Sequence, residues 1–482
     1  MIKLDNDNKR LRNAVLTRVA ELAFEDKLTD DNLAAIPFEI IPGRTAHFRC
    51  CVYKEREILA QRARLAMGKL PSGMEEDGSI ITVIPSACEG CPINRYRVTE
   101  NCQKCLAKSC QQACPFGAIS MTGRGAYIEQ DKCKECGRCA AACPYNAIAD
   151  LIRPCKRSCP VGAIEIGEDK LAKIDLEKCI ACGNCMKNCP FSAVSDRSFI
   201  LPVIEAVKGD GYVAAVIAPA LEGQFGADCT MGKLKNAVKA LGFDDVYEVA
   251  LGADATAEYE AEELAERLEK GEKMTTSCCP AFYNMIHKHF PKLVDNVSTT
   301  VSPMVAVGRL VKAQHPGATV VFIGPCVAKK TEVKRTDGID YVLTTEELYA
   351  LLSARKIEPS EMEESGQDGS IYGKKFAEAG GVTGAVMQVL DEKGLTPAVA
   401  AHRCNGALEC KKALTMLASG RFPSNFIEGM SCEGGCINGP GNLLEERAAK
   451  AARAKLLAAA DDRKITENTE EHGFSKVPMH SH

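Results

Sequence analysis

The spacing of the cysteines constrains this chain more than any other feature of its sequence. Two runs have the form CxxCxxCxxxCP: Cys133, Cys136, Cys139 and Cys143, and then Cys179, Cys182, Cys185 and Cys189. In this spacing three cysteines of a short loop hold one 4Fe–4S cubane, and the fourth reaches a second cluster. A zinc site does not need a fourth cysteine at that offset. The two runs therefore predict cubane clusters.

Looser versions of the same unit lie beside the regular runs. They contribute eight more cysteines: Cys88, Cys91, Cys102, Cys105, Cys110, Cys114, Cys155 and Cys159. The segments CPFGAI, CPYNAI, CPVGAI and CPFSAV follow one another along the chain, which indicates an internal repeat of a half-ferredoxin unit. Sixteen cysteines divide evenly into four 4Fe–4S sites, with two as the minimum.

The preferred assignment of these cysteines is nested, so that each run takes its fourth ligand from another run. The four groups are Cys102, Cys105, Cys110 with Cys143; Cys133, Cys136, Cys139 with Cys114; Cys179, Cys182, Cys185 with Cys159; and Cys88, Cys91, Cys155 with Cys189. Direct pairing of the two regular runs, with fewer clusters, is the competing assignment.

Composition narrows the class of protein. The chain has 482 residues, 60 basic and 64 acidic side chains and a net charge of −4, so it shows no nucleic-acid footprint. The first thirty residues lack the apolar core of a signal peptide, and no apolar run reaches the length of a membrane span. Twenty-six cysteines without an export signal favour metal ligation over disulfides, and so a cytoplasmic metalloprotein that engages no membrane.

Hydrophobic periodicity predicts an α+β and α/β multidomain chain with four regions. Residues 1–80 are expected to be helical and residues 201–445 to form an α/β domain, which the resemblance described below implies is the catalytic domain. The cysteine runs place a ferredoxin-like iron–sulfur module at residues 81–200. Residues 446–482 are expected to form a helix and a frayed polar tail.

Individual elements can be placed within these regions. A helix over Val52–Met67 is expected to end at Gly68, and a glutamate-rich helix is expected at about 255–270. The apolar runs Tyr212–Ala218 and Thr319–Ile323 are typical of buried parallel strands, which place ligands beyond their carboxyl ends.

Three cysteine segments punctuate the last domain. They are Thr276–Pro280 (TSCCP), Pro325–Glu332 (PCVAKKTE) and Glu428–Gly441 (EGMSCEGGCINGPG). Together, and in this order behind ferredoxin-like motifs, they resemble the signature segments of FeFe-hydrogenases over roughly residues 81–445. Gly324 stands where many members have methionine, Phe282 replaces a tryptophan, and Pro440 stands where glycine is frequent. With these departures, the chain resembles a divergent subgroup of the family, the ferredoxin-fused monomeric type (group B-like).

The resemblance implies an H-cluster, which is a 4Fe–4S cubane joined through one cysteine sulfur to a two-iron unit with CO, cyanide and a bridging dithiolate. The implied cubane ligands are Cys279, Cys326, Cys432 and Cys436, with Cys436 as the bridge. Around the two-iron unit, the resemblance implies Lys329 as a donor to cyanide, which would be a charge-assisted hydrogen bond. It also implies four wall positions: Ala218, Pro219, Ser302 and Met430.

A proton relay follows from the same resemblance. Cys278 matches the thiol that exchanges protons with the cluster, and Glu260, Ser298 and Glu263 match the outer relay. The helical wheel supports this separately, because it places Glu260 at the apolar edge of its helix and Glu263 one step further round. A buried glutamate with a raised pKa suits proton exchange near neutral pH.

The implied activity is reversible H2 oxidation and proton reduction. Ferredoxin, or a similar soluble carrier, is the expected electron partner, and separate maturation proteins are expected to supply the two-iron unit. No nicotinamide or flavin motif appears in the chain. The alternatives are a non-catalytic iron–sulfur assembly protein, an H2 sensor and a pure electron-transfer protein. The remaining five cysteines are expected to be buried structural thiols: Cys50, Cys51, Cys229, Cys404 and Cys410.

Overall fold

The computed structural model describes residues 2, 4, 6–458, 460 and 463–481. Three helices precede the iron–sulfur module: α1 (Asp7–Phe24), α2 (Asp30–Ile40) and α3 (Val52–Ala66). The side chains of Asn6 and Thr29 cap α1 and α2 by accepting backbone N–H groups. Helix α3 ends where predicted, because Gly68 adopts a left-handed φ of 73°. Sequence reasoning missed α2 as a separate helix, since Pro37 lies inside it.

The iron–sulfur module is built from very short elements. They are β1 (Ile81–Val83), α4 (Pro85–Cys88), β2 (Tyr96–Val98), α5 (Ser109–Gln112), β3 (Ile119–Thr122), β4 (Gly125–Ile128), α6 (Arg138–Ala142), β5 (Ile148–Asp150), α7 (Pro154–Arg157), β6 (Ile164–Ile166), β7 (Ala172–Ile174), α8 (Asn184–Lys187) and β8 (Val194–Asp196). All four strand pairs are antiparallel: β1 with β8, β2 with β5, β3 with β4, and β6 with β7. The outer pairs enclose the inner ones, so segments far apart in sequence lie together.

The rest of the chain alternates strands and helices. Its elements are α9 (Ile200–Lys208), β9 (Val213–Ile217), α10 (Met231–Lys239), β10 (Asp245–Glu248), α11 (Val249–Glu269), β11 (Met274–Thr275), α12 (Pro280–His289), α13 (Pro303–Gln314), β12 (Thr319–Ile323), α14 (Lys329–Glu332), β13 (Tyr341–Leu343), α15 (Thr345–Ala354), α16 (Ile371–Lys375), α17 (Gly381–Glu392), β14 (Ala401–Asn405), α18 (Ala407–Ala418), β15 (Phe426–Met430), α19 (Glu446–Leu457) and α20 (Ile465–Glu471). None of these or the preceding described helices is long and apolar enough to cross a membrane.

Two parallel sheets organise this region. One has the strand order β10-β9-β12-β13 and the other β11-β15-β14. The strands predicted at Tyr212–Ala218 and Thr319–Ile323 are confirmed as β9 and β12, which pair with each other and are almost entirely buried. Because parallel strands share a direction, their carboxyl ends deliver the three cysteine segments to one region between the sheets.

Helix α11 begins earlier than predicted. Its first half packs against α13, and a Cβ added at Gly252 would lie 2.3 Å from the carbonyl oxygen of Pro303. This close approach requires small residues, which give a weak helical pattern, so only the glutamate-rich second half was predicted. Glu260 is fully buried and Glu262 is exposed, as the wheel predicts.

The expectation of a frayed tail is wrong. Helix α20 packs against α11 and α17, and the side chains of Ile465, Phe474 and Met479 are buried. The backbone N–H of Ser481 donates to the carbonyl of Thr299 at 2.7 Å. A few apolar residues in a polar stretch therefore suffice to anchor the tail.

A buried ion network joins the three regions. The ammonium of Lys330, fully buried, lies 2.8 Å from Asp196 of the iron–sulfur module and 2.9 Å from Glu347 of α15. Arg12 of α1 pairs with Asp196 at 3.2 Å and with Glu346 at 2.8 Å. Removing one member would leave a buried charge uncompensated, so the network fixes how the modules sit together.

Candidate metal centre

A cavity lies where the carboxyl ends of β9, β11, β12 and β15 converge. It is lined mainly by apolar side chains, among them Phe322, Met304 and Phe376, and its volume is about 90 Å³. Six cysteines line it: Cys182, Cys278, Cys279, Cys326, Cys432 and Cys436. A dry, thiol-lined cavity suits a soft metal cluster.

Each of four cysteines reaches the cavity from a different position in the fold. Cys279 precedes the first turn of α12, Cys326 follows β12, Cys432 follows β15, and Cys436 begins a short 3₁₀ turn. Sequence reasoning grouped these four residues, and the structure brings them together.

The four thiols are electrostatic neighbours. Burial raises the pKa of Cys326 to about 12, and the nearby thiol of Cys279 adds to the shift. Burial also raises the pKa of Cys432 far above its ordinary value, with Cys436, Cys326 and Cys279 contributing. A cubane binds through thiolates, and its iron would supply the positive charge that stabilises the ionised sulfurs in this apolar cavity. The donor set and the cavity therefore fit a cubane.

Two glycines of the Glu428–Gly441 segment allow the close packing of its loop. Gly435 has a φ of 100°, and a Cβ there would lie 2.4 Å from the carbonyl oxygen of Ala377. A Cβ at Gly441 would lie 2.8 Å from the Cβ of Thr344. Side chains at these positions would push Cys432 and Cys436 out of place.

Lys329 lines the cavity, and Glu332 and Ser302 contact its ammonium. Its ammonium lies 2.8 Å from Glu332 and donates to the hydroxyl of Ser302 at 3.0 Å. The Ser302 hydroxyl in turn donates to Glu332 at 2.7 Å. Ser302 is not among the residues lining the cavity and instead positions Lys329, whereas Ala218, Pro219 and Met430 line it directly.

Two departures from the family pattern have a steric reason. A Cβ at Gly324 would lie 2.6 Å from the ring of Phe322 and 2.8 Å from the Cβ of Ala218, so the Phe322 ring fills the space that a methionine would need. A Cβ at Gly429 would lie 2.0 Å from the ring of Phe282. Phe282 is fully buried against this glycine, so the smaller ring is part of a compensated packing.

Cys278 begins a path of ionisable groups that leads away from the cavity. Burial raises the pKa of its thiol far above the ordinary value, and the carboxylate of Glu260 adds to the shift. Glu260 is fully buried and accepts the backbone N–H of Ser277 at 3.3 Å. Burial raises the pKa of Glu260 to about 8, with Glu263 contributing. Glu260 is therefore protonated near neutral pH.

The outer part of the path has the opposite character. Ser298 donates its hydroxyl to Glu263 at 2.8 Å, and Arg267 pairs with the same carboxylate at 2.7 Å. Burial opposes ionisation of Glu263, but these donors and the N–H of Thr299 hold its pKa below the ordinary value. Glu263, Thr299 and Arg267 line an open groove at the surface. The path thus runs from a protonated inner carboxyl to an ionised outer one.

The sixteen cysteines of residues 81–200 gather into four groups. Burial raises the pKa of Cys110 with contributions from Cys143, Cys102 and Cys105, and that of Cys139 with contributions from Cys133 and Cys114. The neighbours of Cys155 are Cys189, Cys88 and Cys91, and those of Cys182 include Cys179 and Cys159. These neighbours are the ones that the nested assignment places together.

The repeated proline-containing segments share one hydrogen bond. In each, the backbone N–H four residues after the cysteine donates to its sulfur: Ala118 to Cys114, Ala147 to Cys143, Ala163 to Cys159, and Ala193 to Cys189, at 3.2–3.4 Å. Such N–H···S bonds are one of the levers that set cluster potentials. The repeat in the sequence is therefore a repeat of cluster environment.

The iron–sulfur module touches the cavity directly. Cys182 lines it, and its thiol is an electrostatic neighbour of Cys279 and Cys432. A Cβ at Gly183 would lie 2.5 Å from the ring of Pro440. Pro440 therefore packs against the iron–sulfur module, a contact that the sequence did not reveal.

The cysteines without an assigned role differ from one another. Cys229, Cys404 and Cys410 are buried, as predicted. The prediction for Cys50 and Cys51 is wrong, because both are exposed. They precede α3 in a loop whose backbone N–H groups turn inward to the buried carboxylate of Glu55, which leaves their side chains outside.

One residue that supports the site escaped sequence reasoning. Glu428 is fully buried and accepts hydrogen bonds from the N–H of Gly380 at 2.7 Å and from the hydroxyl of Thr383 at 2.6 Å. It adds to the raised pKa values of both Cys278 and Glu260. The sequence feature that could have revealed it is a glutamate within an apolar strand, directly before the first glycine of the Glu428–Gly441 segment.

Fold and site together define an iron–sulfur protein with several cluster-binding units and a separate thiol-lined metal centre. The family model for the C-terminal domain of the iron-only hydrogenase large subunit matches residues 211–440. The 4Fe–4S dicluster domain matches residues 101–147, and the LdpA Fe–S cluster-binding domain matches residues 149–200. Iron hydrogenase 1 of Clostridium pasteurianum is 30% identical over an alignment of 414 positions, gaps included, which covers 71% of this chain and 71% of that protein. The chain belongs to the iron-only, or FeFe-, hydrogenase family, and carries an H-cluster domain with 4Fe–4S cluster-binding domains.

Other relatives differ in how much of the chain they share. The periplasmic Fe hydrogenase large subunit of Nitratidesulfovibrio vulgaris is 30% identical over an alignment of 301 positions, gaps included, which covers 50% of this chain and 71% of that protein. Cytosolic iron–sulfur assembly component 3 of Bos taurus is 25% identical over an alignment of 275 positions, gaps included, which covers 44% of this chain and 57% of that protein. A solved FeFe-hydrogenase structure covers 59% of this chain and 98% of its own, with 21% identity and a TM-score of 0.51, which shows the shared fold.

Proposed function

We propose that the protein catalyses the reversible reaction 2H⁺ + 2e⁻ ⇌ H2. The observation that carries this proposal is the junction of three features at one buried cavity: four thiols suited to a cubane, a fifth thiol beside them, and a chain of carboxyl groups to the surface. When bound, the H-cluster supplies the metal site at which hydrogen is formed or split. Cys279, Cys326, Cys432 and Cys436 would hold it, with Cys436 as the shared sulfur.

The protein's own residues would move the protons. During H2 oxidation, Cys278 takes a proton at its sulfur and passes it to Glu260, whose raised pKa of about 8 lets it hold a proton near neutral pH. The Ser298 hydroxyl relays the proton to Glu263, which the surface groove supplies with water. During H2 formation the same groups act in reverse order.

Lys329 would orient and stabilise an anionic ligand in the cavity. Its ammonium projects beside the apolar walls, where a charge-assisted hydrogen bond is stronger than in water. Ser302 and Glu332 fix its position through contacts of 2.8–3.0 Å. The surrounding prolines and aromatic rings offer no polar group for proton transfer, which favours the carboxyl groups as the proton route.

Electrons would pass through the four cysteine groups, each holding a 4Fe–4S cluster. The group of Cys182 adjoins the cavity, and Cys155 is an electrostatic neighbour of Cys185, so these two groups lie side by side. The groups of Cys110 and Cys139 lie further out in the module. A soluble ferredoxin-like carrier at that outer end would complete the route, and separate maturation proteins would supply the two-iron unit.

A second candidate function is iron–sulfur cluster assembly, because the relative named as an assembly component matches 44% of this chain. The series of ionisable groups from Cys278 to Glu263, together with Lys329 in the cavity, favours catalysis over assembly or H2 sensing. A protein that only binds or delivers clusters has no need of a proton route.

Hydrogen evolution with reduced methyl viologen tests the proposal. The chain would be produced anaerobically with maturation proteins and compared with Cys436→Ser and with Cys51→Ser, an exposed control. We expect activity in the parent and in Cys51→Ser, and none in Cys436→Ser. No hydrogen from the parent, despite full iron loading, would contradict the proposed function.

A further inference from the structure

The first cysteine run differs from the regular ones by an insertion. Four residues separate Cys105 from Cys110, whereas two separate Cys136 from Cys139. The additional residues lie in a loop whose members Leu106, Ala107 and Lys108 are all exposed. An insertion that contributes nothing to a core is free to serve an interaction.

The backbone of this loop is also unusual. Lys108 precedes α5 with a left-handed φ of 48°. Gly137 and Gly183 hold the equivalent place before α6 and α8, with φ values of 76° and 75°. A Cβ disfavours this conformation, so lysine stands where the other runs have the residue suited to it.

The loop presents an apolar tip with positive charges around it. Leu106 is 95% exposed, the most among the large apolar side chains of the described residues. Lys104, Lys108 and Arg124 are exposed as well, and residues 101–128 contain no aspartate or glutamate. The chain as a whole carries a net charge of −4, so this basic stretch is a local exception.

Contacts hold these residues on one surface beside a cysteine group. The ammonium of Lys104 donates to the carbonyl of Gly123 at 2.6 Å, which brings the turn bearing Arg124 against the loop. The N–H of Ala126 donates to the sulfur of Cys102 at 3.5 Å. Cys105 belongs to the loop itself, so the surface lies directly over the proposed cluster of Cys102, Cys105, Cys110 and Cys143.

We propose that the tip surface, formed by Lys104, Leu106, Lys108 and Arg124, docks the electron carrier, and that this carrier is a small acidic iron–sulfur protein. Leu106 provides the apolar anchor, and the three cations pair with carboxylates of the partner. One electron passes from the reduced carrier to the cluster beneath, and no bond or proton is exchanged. The inference deepens the proposed function, since it places the entry point of its electrons.

A binding measurement tests the surface without relying on turnover. The probe is a plant-type two-iron ferredoxin, an acidic protein, with gallium in place of iron, titrated calorimetrically into the cluster-loaded chain at low salt. Lys104→Gln with Lys108→Gln, and separately Leu106→Ser, should each raise Kd about tenfold. The matched controls Leu408→Ser and Lys412→Gln, exposed on α18, should leave Kd within twofold.

Salt and a small electron donor separate the possible outcomes. The effect of the lysine changes should vanish at high salt, whereas that of Leu106→Ser should remain. Methyl viologen needs no docking surface, so its hydrogen-evolution rate should be the same in all variants. Unchanged Kd values would overturn the docking proposal, as would self-association of the parent that Leu106→Ser abolishes without altering ferredoxin affinity. Absent viologen activity in the parent would instead contradict the proposed function.

Discussion

Replacing Glu260 by glutamine is the perturbation whose outcome the structure defines most sharply. The side chain is fully buried between Ser277 and the outer relay, and glutamine keeps its shape while removing the exchangeable proton. We expect hydrogen turnover to fall by about 100-fold or more, the range typical for loss of a positioned acid–base group.

The size of the electrostatic effect follows from the pKa. Burial raises it from 4.5 to about 8, which corresponds to about 5 kcal/mol against the ionised form. Because the pKa is higher in the folded state, the associated stability is fully present below pH 4.5 and is lost as the pH rises through about 8. Glu260→Gln should therefore gain stability relative to the parent across that window, by up to about 5 kcal/mol.

Two measurements check this prediction. Turnover with reduced methyl viologen would be followed from pH 6 to 9, and the carboxyl C=O band of Glu260 would be followed by infrared difference spectroscopy over the same range. Glu266→Gln is the matched control, since Glu266 lies on the exposed face of α11. Infrared bands of the loaded cluster must stay unchanged in both variants, which separates proton transfer from assembly.

Undiminished turnover in Glu260→Gln would refute the reasoning, because protons would then bypass this residue. A carboxyl band that is already absent at pH 6 would refute the electrostatic part alone, because the pKa of Glu260 would then lie near its ordinary value. In that case the site would contain water beside Glu260, and burial would not set its pKa.

Three further changes test other parts of the account. Cys278→Ala should nearly abolish turnover while the cluster's infrared bands persist, and retained turnover would mean another proton path. Lys329→Gln removes the ion-pair partner of Glu332, so it should lower the free energy of unfolding by about 3 kcal/mol. It should also weaken the CO and CN bands, and unchanged bands would show that Lys329 does not contact the ligand. Cys155→Ser should cost about four iron atoms per chain by iron analysis, whereas full iron content would contradict the nested assignment.

The metal-binding part of the fold could be predicted because cluster ligation imposes fixed spacings on the sequence. Cys133 and Cys179 begin runs whose spacing is typical of 4Fe–4S cluster binding. The strands β9 and β12 are short apolar runs that end near a proline or a glycine. Such signals are local, so a sequence displays them directly.

Features that depend on three-dimensional contacts between side chains and backbone could not be predicted in this way. Exposure of Cys50 and Cys51 results from Glu55 binding their loop from inside, and burial of Phe474 depends on a surface formed by other elements. The space beside Gly324 is filled by the ring of Phe322 and by Ala218, which follows the neighbouring strand β9. In each case the deciding contact is set by the folded path of the backbone, which the spacing of residue types does not reveal.

The role of Cys432 and Cys436 in holding an H-cluster is the central claim, and infrared spectroscopy tests it most directly. Protein produced anaerobically with maturation proteins should show the bands of metal-bound CO and CN, and Cys436→Ser should lose them while the iron of the outer cysteine groups remains. Absence of these bands in the fully iron-loaded parent would contradict the assignment and would favour an iron–sulfur assembly role.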